Sequence, residues 1–136
     1  MAFVIPEVGE IQLLEDLQAN RLEGSHMHAY KNDVAPGPAT VLGDFTECNF
    51  AGYAPFPLVG WSPAALDGTG HAATNAPKAT FTPTAVGGSG NIYGYYITDD
   101  ADGSLIGAER FSDAPVAIAQ FANLEVNHTF TTKSEF

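Results

Sequence analysis

The stretch Asn91-Ile-Tyr-Gly-Tyr-Tyr-Ile-Thr98, followed by Asp99-Asp-Ala-Asp-Gly103 and then Leu105-Ile-Gly-Ala-Glu-Arg-Phe111, decides the fold. The first flank is rich in β-branched and aromatic residues, the kind that fit a pleated sheet. Between the flanks lie three aspartates and a glycine, which favour tight turns. The spacing predicts an antiparallel hairpin with residues 91–98 and 105–111 as its arms. In the first arm Tyr93, Tyr95 and Ile97 share one parity, and Ile92 and Tyr96 share the other. A strand apolar on both faces belongs in the middle of a sheet, or beneath another subunit.

Working outward, the same period of two recurs. Ala79 and Phe81 alternate with Thr80 and Thr82 over residues 78–84, and Gly87-Gly-Ser-Gly90 links that strand to the hairpin. Residues 116–121 and 124–132 read as two more strands. In the last, Leu124, Val126, His128 and Phe130 alternate with polar neighbours, which predicts one buried face and one wet face. Residues 25–30 form a strand with His26, His28 and Tyr30 on one side. Residues 40–58 read as an irregular edge strand, and residues 60–77, small and loose apart from Trp61, as a long surface loop. Only residues 6–23 have a helical period. Val8, Ile11, Leu14 and Leu17 form the stripe, Leu13 widens it, Pro6 opens it and Gly24 closes it. The reading is therefore a mainly β chain: an antiparallel β-sandwich, with a barrel as second choice, and one N-terminal helix.

A length of 136 residues corresponds to a single domain, with a β region over 25–132 and an extended arm over 1–5. Charged residues make up only 15% of the chain, and sixteen acids against five bases leave a net charge of −11. That charge disfavours nucleic acid and anionic lipid as direct partners and favours a basic protein surface. No apolar run has the length of a membrane span, and the first residues lack a basic signal-peptide region. A soluble product made in the cytoplasm is expected.

Candidate chemistry is sparse. Asp100, Asp102, Gly103 and Glu109 have calcium-loop spacing, but Thr98 stands where that loop starts with Asp, so a hairpin turn is the better reading. His26 and His28 on one strand face present a two-imidazole metal pair that symmetry copies could complete, yet no further ligand follows nearby in the chain. Cys48, between Phe45 and Phe50, reads as a core thiol. A small hydrolase built on Cys48, a serine, His71 or His128 lacks any recognisable motif. The reading is thus not an enzyme, with no cofactor and no resident metal. Of the aromatics Phe45, Phe50, Tyr53, Phe56 and Trp61, most suit a core. Phe3 and Ile5 in the arm, with Tyr53, Phe56 and above all Trp61, are the candidate interface residues.

Several strings, taken in order, resemble small structural proteins of tailed bacteriophages. They are residues 1–10, His28-Ala-Tyr-Lys-Asn-Asp33, Asp44-Phe-Thr-Glu-Cys-Asn-Phe-Ala-Gly-Tyr53, Tyr93-Gly-Tyr-Tyr-Ile-Thr98 and Ala108-Glu-Arg-Phe111. Residues 60–75 depart from that pattern, being richer in Ala and Gly. The resemblance is to the β proteins of the virion, among them capsid cement or decoration proteins. It implies a virion location, binding to the major capsid protein or another virion protein, and a homo-oligomer, with a trimer favoured. Its alternative is a tail or fibre component that binds a receptor or glycan.

Overall fold

The structure, a computed structural model, describes residues 5–84, 90–118 and 123–132. The helix α1 spans Glu7–Leu17 and runs on as a π-helical turn, Gln18–Leu22. Pro6 precedes it as the N-cap in extended conformation, and Glu7 and Glu10 occupy the first turn, where the helix dipole favours carboxylates. The wide turn ends when the Glu23 N–H donates to the Gln18 carbonyl. Gly24 then reverses the chain at φ +82°, a conformation that glycine adopts without steric cost. Ile11, Leu14, Leu17 and Leu22 face the core. Val8 and Leu13 do not: they are 66% and 54% exposed, because only one side of α1 meets the sheets and Leu13 lies one helical step from Leu14.

Eleven short strands follow among the described residues. β1 (Ser25–Tyr30), β2 (Phe56–Leu58), β7 (Gly94–Thr98) and β8 (Leu105–Arg110) form an antiparallel sheet in the order β2-β1-β7-β8. The hairpin read first in the sequence is thus β7–β8, and β7 is an interior strand as its two apolar faces require. Smaller sheets complete the fold. β3 (Ala65–Leu66), β4 (Ala72–Asn75) and β11 (Thr129–Thr131) pair in the order β11-β4-β3. β5 (Ala79–Phe81) pairs with β10 (Leu124–Val126), and β6 (Asn91–Ile92) with β9 (Val116–Ala117). The fold is mainly β, layered like a sandwich, and the described residues form no closed barrel.

The layers enclose one main core. Met27, Ala29, Tyr95 and Ile97 from the large sheet meet Leu14 and Leu22 of the helical segment and Ala72, Phe81 and Val126 of the smaller sheets. A second, aromatic core of Tyr30, Phe45 and Tyr96 lies on the other face of the large sheet, roofed by Val34 and neighbours. The chain's own residues cover that face of β7.

Four expectations need correction. Residues 91–98 are not one straight strand: they break at Tyr93, so that Ile92 joins Tyr95 and Ile97 in the main core while Tyr93 packs with Tyr96 on the other side. At the break the Tyr93 N–H donates to the Tyr30 carbonyl on one side and its own carbonyl accepts from Phe111 on the other. β7 then opens at Gly94, where an added Cβ would lie 2.2 Å from the Glu109 carbonyl oxygen and 2.5 Å from Tyr30 Oη. Residues 60–77 are not a long surface loop but contain the β3–β4 hairpin; Ala72 and Thr74 are buried, their small side chains letting α1 approach. Trp61 is only 6% exposed and belongs to the main core, its indole N–H donating to the Leu58 carbonyl at 3.2 Å. Residues 124–132 keep the expected alternation of burial but divide between two sheets. Residues 40–58 contribute a 3₁₀ turn, Leu42–Asp44, an isolated bridge between Tyr30 and Glu47, and the edge strand β2. The arm residues 1–4, with Phe3, and the linker residues 85–89 lie outside the described residues, as do 119–122 of the expected 116–121 strand.

Candidate functional site

The densest polar arrangement grows from β1. Beyond β2 the strand would leave the N–H and C=O of Ala29 without a ladder, and unpaired backbone groups are costly when buried. Instead Tyr53 Oη accepts the Ala29 N–H at 3.1 Å, and the Ala29 carbonyl accepts the Cys48 N–H at 2.9 Å. The Lys31 N–H donates to Thr46 at 2.8 Å. Segment 45–53 thereby acts as a substitute edge strand, with a tyrosine side chain as one rung.

The Tyr53 hydroxyl donates to Glu47 Oε2 at 2.6 Å, and the same oxygen meets His28 Nδ1 at 2.6 Å. The other ring nitrogen of His28 lies 2.8 Å from Thr98 Oγ1. The imidazole stacks on Tyr96 at 4.7 Å between centroids, and Tyr96 stacks in turn on Phe45 at 4.8 Å. Burial, reinforced by the hydrogen bond to Glu47, raises the Tyr53 hydroxyl far above an ordinary phenol. A carboxylate, an imidazole and a hydroxyl in series have the connectivity of a nucleophile relay. Here the terminal hydroxyl belongs to Thr98, which is 8% exposed within an interior strand. Thr98, His28 and Glu47 line none of the clefts that the described residues form beside Cys48, Phe81 and Pro36. The series works as a clamp that fastens segment 45–53 to the sheet.

The two histidines of the proposed metal pair part company. His28 has both ring nitrogens engaged, while His26 Nδ1 lies 3.7 Å from Asp100 across the sheet. Among the described residues no three His, Cys, Asp or Glu side chains gather as a metal site would require. The calcium-spaced residues form a hairpin turn. Asp102 caps Ser104, and Asp99 accepts the Ala101 N–H and pairs with Arg21. Those bonds, the Ala101 amide first and Arg21 next, hold the Asp99 carboxyl below the usual carboxylate range. The Arg21–Asp99 pair ties the π-helical turn to the β7–β8 hairpin, which the separation in sequence gave no means of reading. Cys48 is buried, and burial pushes its thiol up to about 11. His128 sits among Trp61, Tyr95 and Phe130 with Nδ1 at 2.6 Å from Tyr95 Oη, and burial lowers its pKa.

Of the candidate interface residues, Ile5 is 43% exposed, Tyr53 and Phe56 are half-buried against the core, and Trp61 is a core residue and offers no surface. Sequence reading missed the aliphatic surface. Val8, Val59, Val41 and Leu13 are each more than half exposed, with Leu66 and Leu42 close behind. No described helix is long and apolar enough to cross a membrane. No family model matches the chain, and neither a curated protein nor a solved structure matches it.

Proposed function

We propose that the chain is a virion structural protein, a cement or decoration protein that stabilises a phage head by bridging capsid subunits, as a homo-oligomer for which a trimer is favoured. The observation that carries the reading is its set of bare aliphatics. Val8 at 66%, Val59 at 63% and Val41 at 59% exposure are large apolar side chains left in water by a chain with an ample core. Covering such surface drives association at about 25 cal/mol per Å² of apolar area. The resemblance of the quoted strings to phage structural proteins supplies the partner, and the net charge of −11 favours a basic face on it. Nothing in this function requires a reactive centre. The tail or fibre alternative drew on Trp61, Tyr53 and a loose loop over residues 60–77; Trp61 lies in the core, Tyr53 is half-buried and the segment holds β3 and β4, so no observation favours it.

The test is co-sedimentation with empty shells of the phage whose genome carries the chain. Saturable, stoichiometric binding that weakens with salt is expected, and Val59→Asp should weaken it at unchanged fold. A chain that stays in the supernatant at every salt concentration would overturn the proposal.

A further inference from the structure

The two edges of the large sheet are treated differently. Sheet edges are templates for another strand, and proteins guard them with Lys, Pro, a bulge or a covering segment. The β1 side is closed by β2 and by segment 45–53. The opposite edge, β8, is paired on its outer side with no described strand. Its six residues contain neither Lys nor Pro, and its one irregularity, the extra residue Ile106 between the Ile97–Gly107 and Thr98–Leu105 pairs, leaves residues 107–110 in regular register. Its one cation, Arg110, is drawn away onto Asp33 and over the Tyr93 ring at 5.4 Å.

The backbone of this edge points outward where a partner would need it. The Phe111 N–H donates inward to the Tyr93 carbonyl at 3.0 Å. Alternation along an antiparallel strand then turns the N–H and C=O of Arg110 and Ala108 away from β7. Beside them, the loop carrying Pro36, Gly37 and Pro38 and the strand residues Leu105, Gly107 and Ala108 line a groove of about 330 Å³. Both walls are clear: an added Cβ at Gly107 or at Gly37 would meet nothing within 4 Å.

Charge selects the occupant. Glu109 lies exposed between the two outward-turned residues, and Arg21, Lys78 and Arg110 are each already paired with a carboxylate of the same chain. A second copy would bring the same −11 charge and its own Glu109 to this edge. We infer that β8 and the loop at Pro36 and Pro38 form a strand-addition slot that takes one extended protein segment with Lys or Arg at alternate positions. Backbone hydrogen bonds to Ala108 and Arg110 supply affinity, and Glu109 selects for positive charge. The inference names the contact for the assembly reading above and rests on it only for the segment's source.

The slot can be tested without knowing that source. Isotope-labelled protein is titrated with a short blocked peptide alternating Lys and Val, and with its Glu and Val counterpart, while backbone amides are followed by NMR. The basic peptide should shift amides of Leu105–Arg110 and of the facing loop, more weakly as salt rises; the acidic peptide should not. Ala108→Pro removes an outward N–H and should weaken binding about tenfold. Should that variant not fold, Glu109→Lys leaves the backbone intact and should weaken binding severalfold. Shifts elsewhere, no shifts, equal binding of the acidic peptide, or self-association through β8 would each overturn the slot. Shell sedimentation separates the two ideas. Wild type and Glu109→Lys pelleting alike would refute the slot and leave the assembly reading standing. Peptide binding by a wild type that ignores shells would do the reverse.

Discussion

Of the described glycines Gly94 is the most tightly enclosed, and one added methyl group there should cost about 4 kcal/mol of stability. The methyl carbon of Gly94→Ala would lie 2.2 Å from the Glu109 carbonyl oxygen, 2.5 Å from Tyr30 Oη and 2.7 Å from Tyr30 Cζ. The first neighbour is backbone and cannot swing aside, so relief must come from Tyr30 or from parting β7 and β8. Driving the Tyr30 ring away breaks its hydrogen bond to the Val34 carbonyl, worth about 1 kcal/mol. It also spoils the ring contact with Phe45 at 4.8 Å, worth about 1 kcal/mol, and exposes part of a fully buried side chain, worth about 2 kcal/mol. Parting the strands instead loosens the ladder that centres the sheet. Gly107→Ala on the facing strand is the control, since its Cβ meets nothing, and it should stay within about 0.5 kcal/mol of wild type. Urea unfolding of the three proteins reads the difference as a shift in midpoint at constant slope. A Gly94→Ala loss below about 1 kcal/mol would refute the packing described for this strand.

Three further outcomes follow from the same structure. His128 is held neutral by burial, its folded pKa lying below the unfolded value near 6.5. Its stability contribution is therefore complete above that value. It declines by about 1.4 kcal/mol per pH unit as acid is added, until the folded pKa is reached. The difference between wild-type and His128→Gln stability, followed from pH 7 to pH 5 by urea unfolding, should shrink once the pH falls below about 6.5, by no more than that slope; a flat difference would contradict it. Cys48, buried with its thiol pushed up to about 11, should react with a thiol reagent at pH 8 only as fast as the chain opens, and promptly in denaturant. Rapid labelling of folded protein would place Cys48 at the surface. Tyr53→Phe removes the acceptor of the Ala29 N–H and the donor to Glu47, and should destabilise by about 2 kcal/mol in the same unfolding assay. An unchanged midpoint would mean that segment 45–53 is fastened some other way.

How far the sequence could be read depended on whether a signal was local. The β7–β8 hairpin, the alternation of Leu124, Val126, His128 and Phe130, and the helix stripe of Ile11, Leu14 and Leu17 are local periodicities, and each appears in the fold. The break at Tyr93 was hidden because it shows in the bonds of Tyr93 to Tyr30 and Phe111, residues distant in the chain. Residues 60–77 misled for a related reason. Small side chains signal looseness in a sequence, but here Ala72 and Thr74 are small because α1 packs against them, and Trp61 fills the space between layers. The clamp was invisible because Glu47 and Tyr53 carry no motif. Only the sheet register puts His28 beside Thr98, and only the bridge of Tyr30 with Glu47 puts the carboxylate beside the imidazole. Val8 and Leu13 were placed on the buried stripe of the helix because periodicity cannot tell which apolar residues find a partner within the chain.

The most direct measurement is a cryo-electron reconstruction of the intact particle at a resolution that places this chain. The proposal expects copies on the head in fixed stoichiometry, with Val8, Val41 or Val59 covered by capsid protein or by a neighbouring copy. Heads that lack the chain, or that carry it with those side chains fully in water, would contradict it.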